Sequence, residues 1–266
     1  MTMSELYRGA WVVAYREVLG FIRNRARVLA SLTFPLLFLA IFGAGFSNVV
    51  GVMARGVNLV TFMYPGIIAM AVLTSALSAG MSVVSDRESG FLREIMVAPV
   101  NRAGIVLGKA AGTAGVALLQ ALMLLAIAPF VGVRLDVGVV VKLVPIVTIL
   151  ALGLAGLGIL IGAFITSQQG YQTLLQLLVF PMVFLAGVFF PVDRAPLWMA
   201  ILSKANPVTY GVDAIRQIFL GSGPAGAGLG VTVLDHTMTL AEEVVMVGAL
   251  GIFLLIGAMW AFGRQE

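Results

Sequence analysis

Long apolar stretches almost free of ionisable side chains constrain this chain more than any motif in it. From about Leu59 to Val84, Gly104 to Val131, Lys142 to Ile165 and Leu240 to Phe262 the sequence runs for the roughly 20 residues or more that a helix needs to cross a hydrocarbon core. Runs of this length exclude a membrane β-barrel, whose strands are short and alternate in polarity. With 61% of 266 residues hydrophobic and only 11% charged, the chain has too little polar surface to coat a soluble globule. The reading is an all-α integral membrane protein. The lack of cysteine removes disulfides, thiolate catalysis and Cys-based metal sites, and fits a bacterial inner membrane. No cleaved leader is expected, because the first apolar run begins near Val28 and is itself long enough to span.

The chain divides at residue 27. Residues 1–27 follow a helical period without being a span: Trp11, Tyr15, Val18 and Ile22 fall on one flank, and Arg8, Arg16, Arg23 and Arg27 on the adjacent one. This pattern predicts an interfacial helix, basic toward anionic headgroups and aromatic toward the acyl boundary. Residues 28–266 form the membrane domain. Six spans are expected: Val28–Phe46 with Pro35 inside it, Leu59–Val84, Gly104–Val131, Lys142–Ile165, Thr173–Phe190 and Leu240–Phe262. Gly132–Val141 and Thr166–Gln172 read as turns, and Thr239 with Glu242 reads as a capping box.

Two segments interrupt the apolar pattern. Residues 85–102 hold the densest charge, with Asp86, Arg87, Glu88, Arg93 and Glu94 among the apolar pairs Phe91/Ile95 and Leu92/Met96 at i,i+4 spacing, and Pro99 ends the helix they would form. Such a short amphipathic helix offers its surface to something outside the membrane. Residues 191–239 begin with a turn at Pro191. A short helix over Leu197–Ser203 follows, then a second started by Asn206 and Pro207 that carries Tyr210, Asp213 and Arg216. Both helices are too short to span and should lie at or dip into the outer leaflet.

Basic residues set the orientation. Arg8, Arg16, Arg23, Arg25, Arg27, Arg87, Arg93, Arg102, Lys109 and Arg264 lie on the side of the termini, against Arg55, Arg134, Lys142, Arg194, Lys204 and Arg216 on the other, which places both termini in the cytoplasm. The search for chemistry within the spans is mostly negative. Lys109, Gln120 and Gln176 are their main polar groups, and no buried Asp, Glu or His is expected that could carry a coupling ion. His236 reads as a surface residue without metal-ligand neighbours. The stretch Gly104 to Ala110 fails as a phosphate loop, since three residues separate its glycines and Ala110 stands where Ser or Thr would hold magnesium. No metal, bound cofactor or catalytic residue is expected, and the chain reads as a non-enzyme. Gly108-xxx-Gly112 and Gly158-xxx-Gly162 fit either internal packing or a dimer contact. Gln176, Phe180, Met182 and Phe184 could line a translocation path or simply face core or lipid.

The run Glu88-Ser-Gly-Phe-Leu-Arg-Glu-Ile-Met-Val-Ala-Pro-Val-Asn-Arg102, followed by Gly108-Lys109, resembles the signature of ABC type-2 exporter permeases. That signature is usually Glu-x-Gly-Thr-x-Glu-x-Leu-x-x-Thr-Pro-x-x-Arg and then Gly-Lys. Phe190-Pro191, Asn206-Pro-Val-Thr-Tyr210 and Asp213-Ala-Ile-Arg216 are similar to the family's second block. Phe91 and Ala98 stand where Thr is common. The resemblance covers essentially the whole chain and implies a six-span half-transporter of the type V exporter kind. Such a subunit pairs with itself or a homologous permease and binds two copies of a separate nucleotide-binding subunit, which holds the ATP and Mg. It further implies that Asp86 to Met96 (Asp86, Arg87, Glu88, Phe91, Leu92, Arg93, Glu94, Ile95, Met96) is the coupling helix and residues 1–27 the connecting helix. Pro191, Asn206, Pro207, Tyr210, Asp213 and Arg216 would belong to re-entrant outer helices that close the path. The implied function is outward transport of a hydrophobic or amphipathic substrate such as a drug or lipid, with the drug and daunorubicin-resistance branch fitting the length. A polysaccharide or glycan-lipid exporter is the alternative and would want an aromatic-lined channel. An ATP-independent secondary transporter or channel would work without any ATPase.

Overall fold

A computed structural model describes residues 3–45, 59–90, 102–133, 135–221, 230–233 and 236–264. Among them nine α-helices follow in order: α1 (Met3–Arg23), α2 (Arg25–Gly45), α3 (Leu59–Glu88), α4 (Arg102–Ile127), α5 (Val137–Phe164), α6 (Gln168–Leu185), α7 (Leu197–Ala205), α8 (Pro207–Leu220) and α9 (Leu240–Gly263). A short antiparallel ladder pairs β1 (Thr232–Val233) with β2 (His236–Thr237), Thr232 opposite Thr237. Five helices, α2, α3, α4 with the 3₁₀ turn that prolongs it to Val131, α5 and α9, are long and apolar enough to cross a membrane. The predicted fifth span corresponds to α6, which has 18 residues and is not one of those five. Gln168, Gln169, Gln172 and Gln176 dilute its apolar character.

Local capping chemistry moves several boundaries from where the sequence alone puts them. Thr166–Gln172 is only partly a turn: the Ser167 hydroxyl accepts from the Gly170 amide at 3.1 Å and starts α6 at Gln168. The helix ends short of Phe190, and Gly187 turns the chain with φ +74°. Gly132–Val141 is likewise only partly a turn, because the Asp136 carboxylate accepts from the Gly138 amide at 3.3 Å and opens α5 at Val137. The N-terminal helix stops at Arg23. Asn24 breaks it and its Oδ1 accepts from the Arg27 amide at 3.0 Å, so Arg27 belongs to α2.

The start of α9 agrees with the sequence, as a reciprocal capping box. The Thr239 hydroxyl accepts from the Glu242 amide at 3.4 Å while Glu242 Oε2 accepts from the Thr239 amide at 2.7 Å. Thr239→Ala should therefore lower stability by about 1 kcal/mol, read as an earlier thermal unfolding transition of the detergent-solubilised chain.

α3 is the central helix. It packs on α2, α4, α5, α6 and α8, and it can do so because Gly66, Ala69, Ala71, Ala76, Ala79 and Gly80 leave room for neighbours on every side. Ile67, Ile68, Leu73 and Leu77 meet Leu124 of α4, Leu143 and Leu150 of α5 and Ile215 of α8 in one buried cluster. α3 crosses α5 backbone against backbone. Gly158 and Gly162 of α5 lie against the backbone of Leu77 and Gly80, where a Cβ on Gly162 would stand 2.7 Å from the Gly80 carbonyl. The Tyr171 hydroxyl of α6 closes the crossing by donating to the Leu77 carbonyl at 2.7 Å, with the Gly158 carbonyl at 3.1 Å. Gly108, Gly112 and Gly115 of α4 form the track on which α1 lies, against Ala10, Ala14 and Val18 in turn. Both glycine spacings left open by the sequence are thus occupied by internal packing. α2 by contrast exposes more than half of Leu29, Phe34, Leu37 and Ile41.

Candidate functional site: polar nodes at the two ends of the bundle

The charged residues at the end of α3 are not a separate helix. Asp86, Arg87 and Glu88 form the last turn of α3 itself, and each reaches a different neighbour. Asp86 Oδ2 accepts from Lys109 Nζ of α4 at 2.5 Å, and Oδ1 lies 3.8 Å from Arg16 of α1. The same Lys109, 1% exposed, donates to the Ser82 hydroxyl at 2.6 Å, which donates on to Glu17 Oε1 of α1 at 2.7 Å. Arg87 donates to the carbonyls of Ile165 and Ala163 at 2.9 and 3.1 Å, satisfying acceptors that the end of α5 leaves unpaired. Glu88 accepts from the Gln168 amide at 2.9 Å and from its side chain at 2.6 Å, so a carboxylate sits on the positive end of α6. One helix end therefore holds α1, α4, α5 and α6. Phe91, Leu92, Arg93, Glu94, Ile95 and Met96 lie outside the described residues.

The second node sits at the opposite end, around α8. Asn206 starts that helix by accepting from the Val208 amide at 3.1 Å and donates to the Met182 carbonyl at 2.7 Å. Pro207 occupies the first helical position, and the Tyr210 hydroxyl donates to the Lys204 carbonyl at 2.6 Å. Arg216, 3% exposed, donates to the Gly187 carbonyl at 2.5 Å and places its guanidinium 4.3 Å from the centroid of the Phe62 ring. Asp213 Oδ1 stands 3.8 Å from Arg216, and Oδ2 accepts from the Val231 amide at 2.8 Å. Gln217 bridges to the Met238 carbonyl at 3.1 Å and to Glu243 of α9 at 3.0 Å. Burial pushes the Arg216 guanidinium down from its ordinary value while Asp213 and Glu243 push it back up, and burial and then Glu243 push the Tyr210 phenol up. Beside the node, Pro191 leads into a 3₁₀ turn whose Asp193 pairs with Lys204 at 3.2 Å and accepts from the Thr232 amide at 2.9 Å.

This node corrects the expectation that the spans hold no buried acid, since Glu243 lies in α9, and it adds Asp213 on α8 outside them. Asp213 and Glu243 are 1% and 0% exposed. The sequence concealed Glu243 because its neighbour Glu242 is the capping residue, and because its partners come from α8.

α1 exposes Trp11 and Tyr15, at 72% and 60%, on the flank turned away from α4, and Arg16 and Arg23 are exposed as well. The Arg8 side chain lies outside the described residues. His236 is exposed, with Nε2 3.1 Å from both Glu242 oxygens. Among the described residues no cluster of His, Asp and Glu could hold a metal ion.

Gln176, Phe180 and Phe184 line a cavity of about 460 Å³ between α2, α3 and α6, together with Phe34, Phe38 and Met70. Met182 does not line it and packs instead against the core. The aromatic rings are continuous: Phe180–Phe184 at 4.4 Å, Phe184–Phe189 at 4.8 Å, Phe189–Phe38 at 5.5 Å and Phe38–Phe34 at 5.1 Å between centroids. Phe34, Phe38 and Phe42 stand at i,i+4 spacing in α2, a signal of this row that was available in the sequence.

Long apolar helices with a polar node at each end make this a multi-pass membrane protein. The chain belongs to the ABC-2 type transporter family, whose model matches residues 8–220, and so to the membrane subunits of ABC transporters, whose family implies a partner ATPase. It is similar to the putative transport permease ycf38 of Cyanophora paradoxa, 26% identical over 213 residues, covering 79% of this chain and 73% of that protein. The nodulation protein J of Rhizobium leguminosarum bv. trifolii is 29% identical over 252 residues, 92% of this chain and 88% of its own. The probable multidrug ABC transporter permease YbhR of Escherichia coli K12 is 32% identical over 162 residues, 60% of this chain and 44% of its own.

Proposed function

We propose that this chain is the export permease of an ATP-driven transporter, working as a pair of permeases with two copies of a separate nucleotide-binding subunit that holds ATP and Mg. The single observation that carries the reading is the last turn of α3, where Asp86, Arg87 and Glu88 each hold a different helix. In the sequence, residues 91–96 follow that turn after Ser89 and Gly90. Seated in a cleft of the ATPase as a coupling helix, they would move α3, and α3 would move the rest. α6 completes six crossings of the inner membrane, with both termini cytoplasmic by the distribution of Lys and Arg. α1 lies at that interface with Trp11 and Tyr15 toward lipid, and α7 and α8 form the re-entrant outer segment. The cavity bearing Gln176, Phe180 and Phe184 is the path for a hydrophobic or amphipathic cargo. A relative named as a probable multidrug permease supports a drug substrate.

The aromatic row Phe34–Phe38–Phe189–Phe184–Phe180 favours a second reading, a glycan-lipid exporter, since flat ring faces suit sugar rings as well as drugs. Reconstitution with the ATPase in proteoliposomes tests both. Daunorubicin or a glycolipid should stimulate ATP hydrolysis, and Glu88→Ala should abolish that stimulation while leaving insertion and ATPase binding intact. Full stimulation in Glu88→Ala, or cargo movement by the permease without any ATPase, would overturn the proposal.

A further inference from the structure

The node around α8 holds two buried acids and one buried cation, and its heavy-atom hydrogen bonds do not close. Asp213, Glu243 and Arg216 are all nearly fully buried. Each acid has one oxygen engaged. Asp213 Oδ2 accepts from the Val231 amide at 2.8 Å, and Glu243 Oε2 accepts from the Gln217 side chain at 3.0 Å. The other oxygen of each, Asp213 Oδ1 and Glu243 Oε1, accepts from no donor. Arg216 stands 3.8 Å from Asp213 Oδ1, near enough to pair with its charge and too far to bond it. Two buried carboxyl oxygens left open side by side carry a full desolvation penalty unless a hydrogen lies between them.

The charges point the same way. Arg216 is the ion-pair partner of Asp213 and is further committed to the Gly187 carbonyl and the Phe62 ring. Among the described residues no ion pair includes Glu243, so an ionised Glu243 would be a second buried anion without a cation of its own. The Glu243 carboxyl is nonetheless in hydrogen-bond contact with Asp213. Two carboxylates have no hydrogen to share, so this contact requires a proton on one of them. Asp213 is the acid that faces the guanidinium, which leaves the proton to Glu243. The other groups that bear on it are Tyr210 of α8, whose hydroxyl is bonded to the Lys204 carbonyl, and Glu242 of α9, which His236 and the Thr239 cap hold at the surface. α5, which also packs on α9, carries an exposed Lys142 and the capping Asp136 at this end, and neither acts on Glu243; Lys109 of α4 stands at the opposite end of the bundle.

We propose that Glu243 is a proton-binding site: its carboxyl keeps a proton at neutral pH and donates it to the Asp213 carboxylate, tying α9 to α8. When the proton passes to solvent, two anions face one guanidinium and the tie becomes a repulsion. The site concerns this chain alone, so its failure would leave the transport reading standing. The test is infrared spectroscopy of the purified, delipidated full chain in dodecyl maltoside at neutral pH, where exposed carboxyls are ionised and only a protonated one shows the carbonyl stretch of an acid. The native chain should show that band and Glu243→Gln should lose it, while Glu242→Gln, at the exposed neighbour, should keep it. Glutamine can also donate to Asp213, so Glu243→Gln should fold and unfold at no lower temperature than the native chain. An unfolded glutamate ionises near about pH 4.3. Above that value the folded chain holds one proton more than the unfolded chain, so rising pH favours unfolding. The folding equilibrium of the native chain should therefore fall by up to about tenfold per pH unit relative to Glu243→Gln. Thermal unfolding of both from about pH 5 to about pH 8 should show the gap widening in favour of the variant. A native chain without the acid band, a band that survives in Glu243→Gln, or a gap that does not change with pH would each overturn the proposal.

Discussion

Lys109→Met should destabilise the purified chain by about 3 kcal/mol, because it removes one member of a buried ion pair and leaves the other behind. Lys109 is 1% exposed and is the group closest to Asp86, with Arg16 a further 3.8 Å contact. The loss should fall toward the lower end of what a broken buried pair costs, since Arg16 can compensate in part. Asp86→Asn in the Lys109→Met background should recover most of the loss by removing the stranded charge, and the recovery measures the coupling between the two. Thermal unfolding by circular dichroism in detergent reads all three variants against Lys142→Met, an exposed lysine on α5. A transition in Lys109→Met no lower than in Lys142→Met would mean that the pair holds nothing. In the reconstituted complex the double variant should be stable yet poorly stimulated, which separates folding from transmission.

Arg216→Leu should cost about 3–5 kcal/mol. Its guanidinium stands 3.8 Å from Asp213, donates to the Gly187 carbonyl and covers the Phe62 ring, and leucine leaves the buried Asp213 carboxylate without its cation. Arg216→Lys should rescue little, because a point ammonium on a flexible stem cannot bond Gly187 and cover Phe62 together. Asp213→Asn added to Arg216→Leu should restore part of the stability by removing the stranded carboxylate. Hydrogen exchange at the Val231 amide, which Asp213 holds at 2.8 Å, reports the node locally and should quicken in Arg216→Leu. An unfolding temperature equal to that of the native sequence would refute the argument.

What the sequence disclosed was local in origin. The helix bodies follow from apolar runs, α8 from Asn206 and Pro207, and α9 from Thr239 and Glu242, all set by residues a few positions apart. What it hid depends on partners far along the chain. Asp86, Arg87 and Glu88 read as the start of a separate surface helix because isolated charges do not continue a membrane span. They do continue one here, since Lys109 and the carbonyls of α5 receive them. The glutamines from Gln168 to Gln172 read as a loop because polarity was taken for irregularity, although Ser167 is a sound helix start. The aromatic row was half visible, as the i,i+4 phenylalanines of α2, and its other half needed α6 laid beside them.

Consecutive side chains leave a helix about 100° apart, so Asp86, Arg87 and Glu88 point around most of the circumference of α3, each tied to a separate neighbour. A rod fixed at three points around its rim cannot roll without breaking a tie. Rotation of α3 about its own axis at this end is thus opposed by three separate ties, whereas the far end meets its neighbour through the Phe62–Arg216 contact.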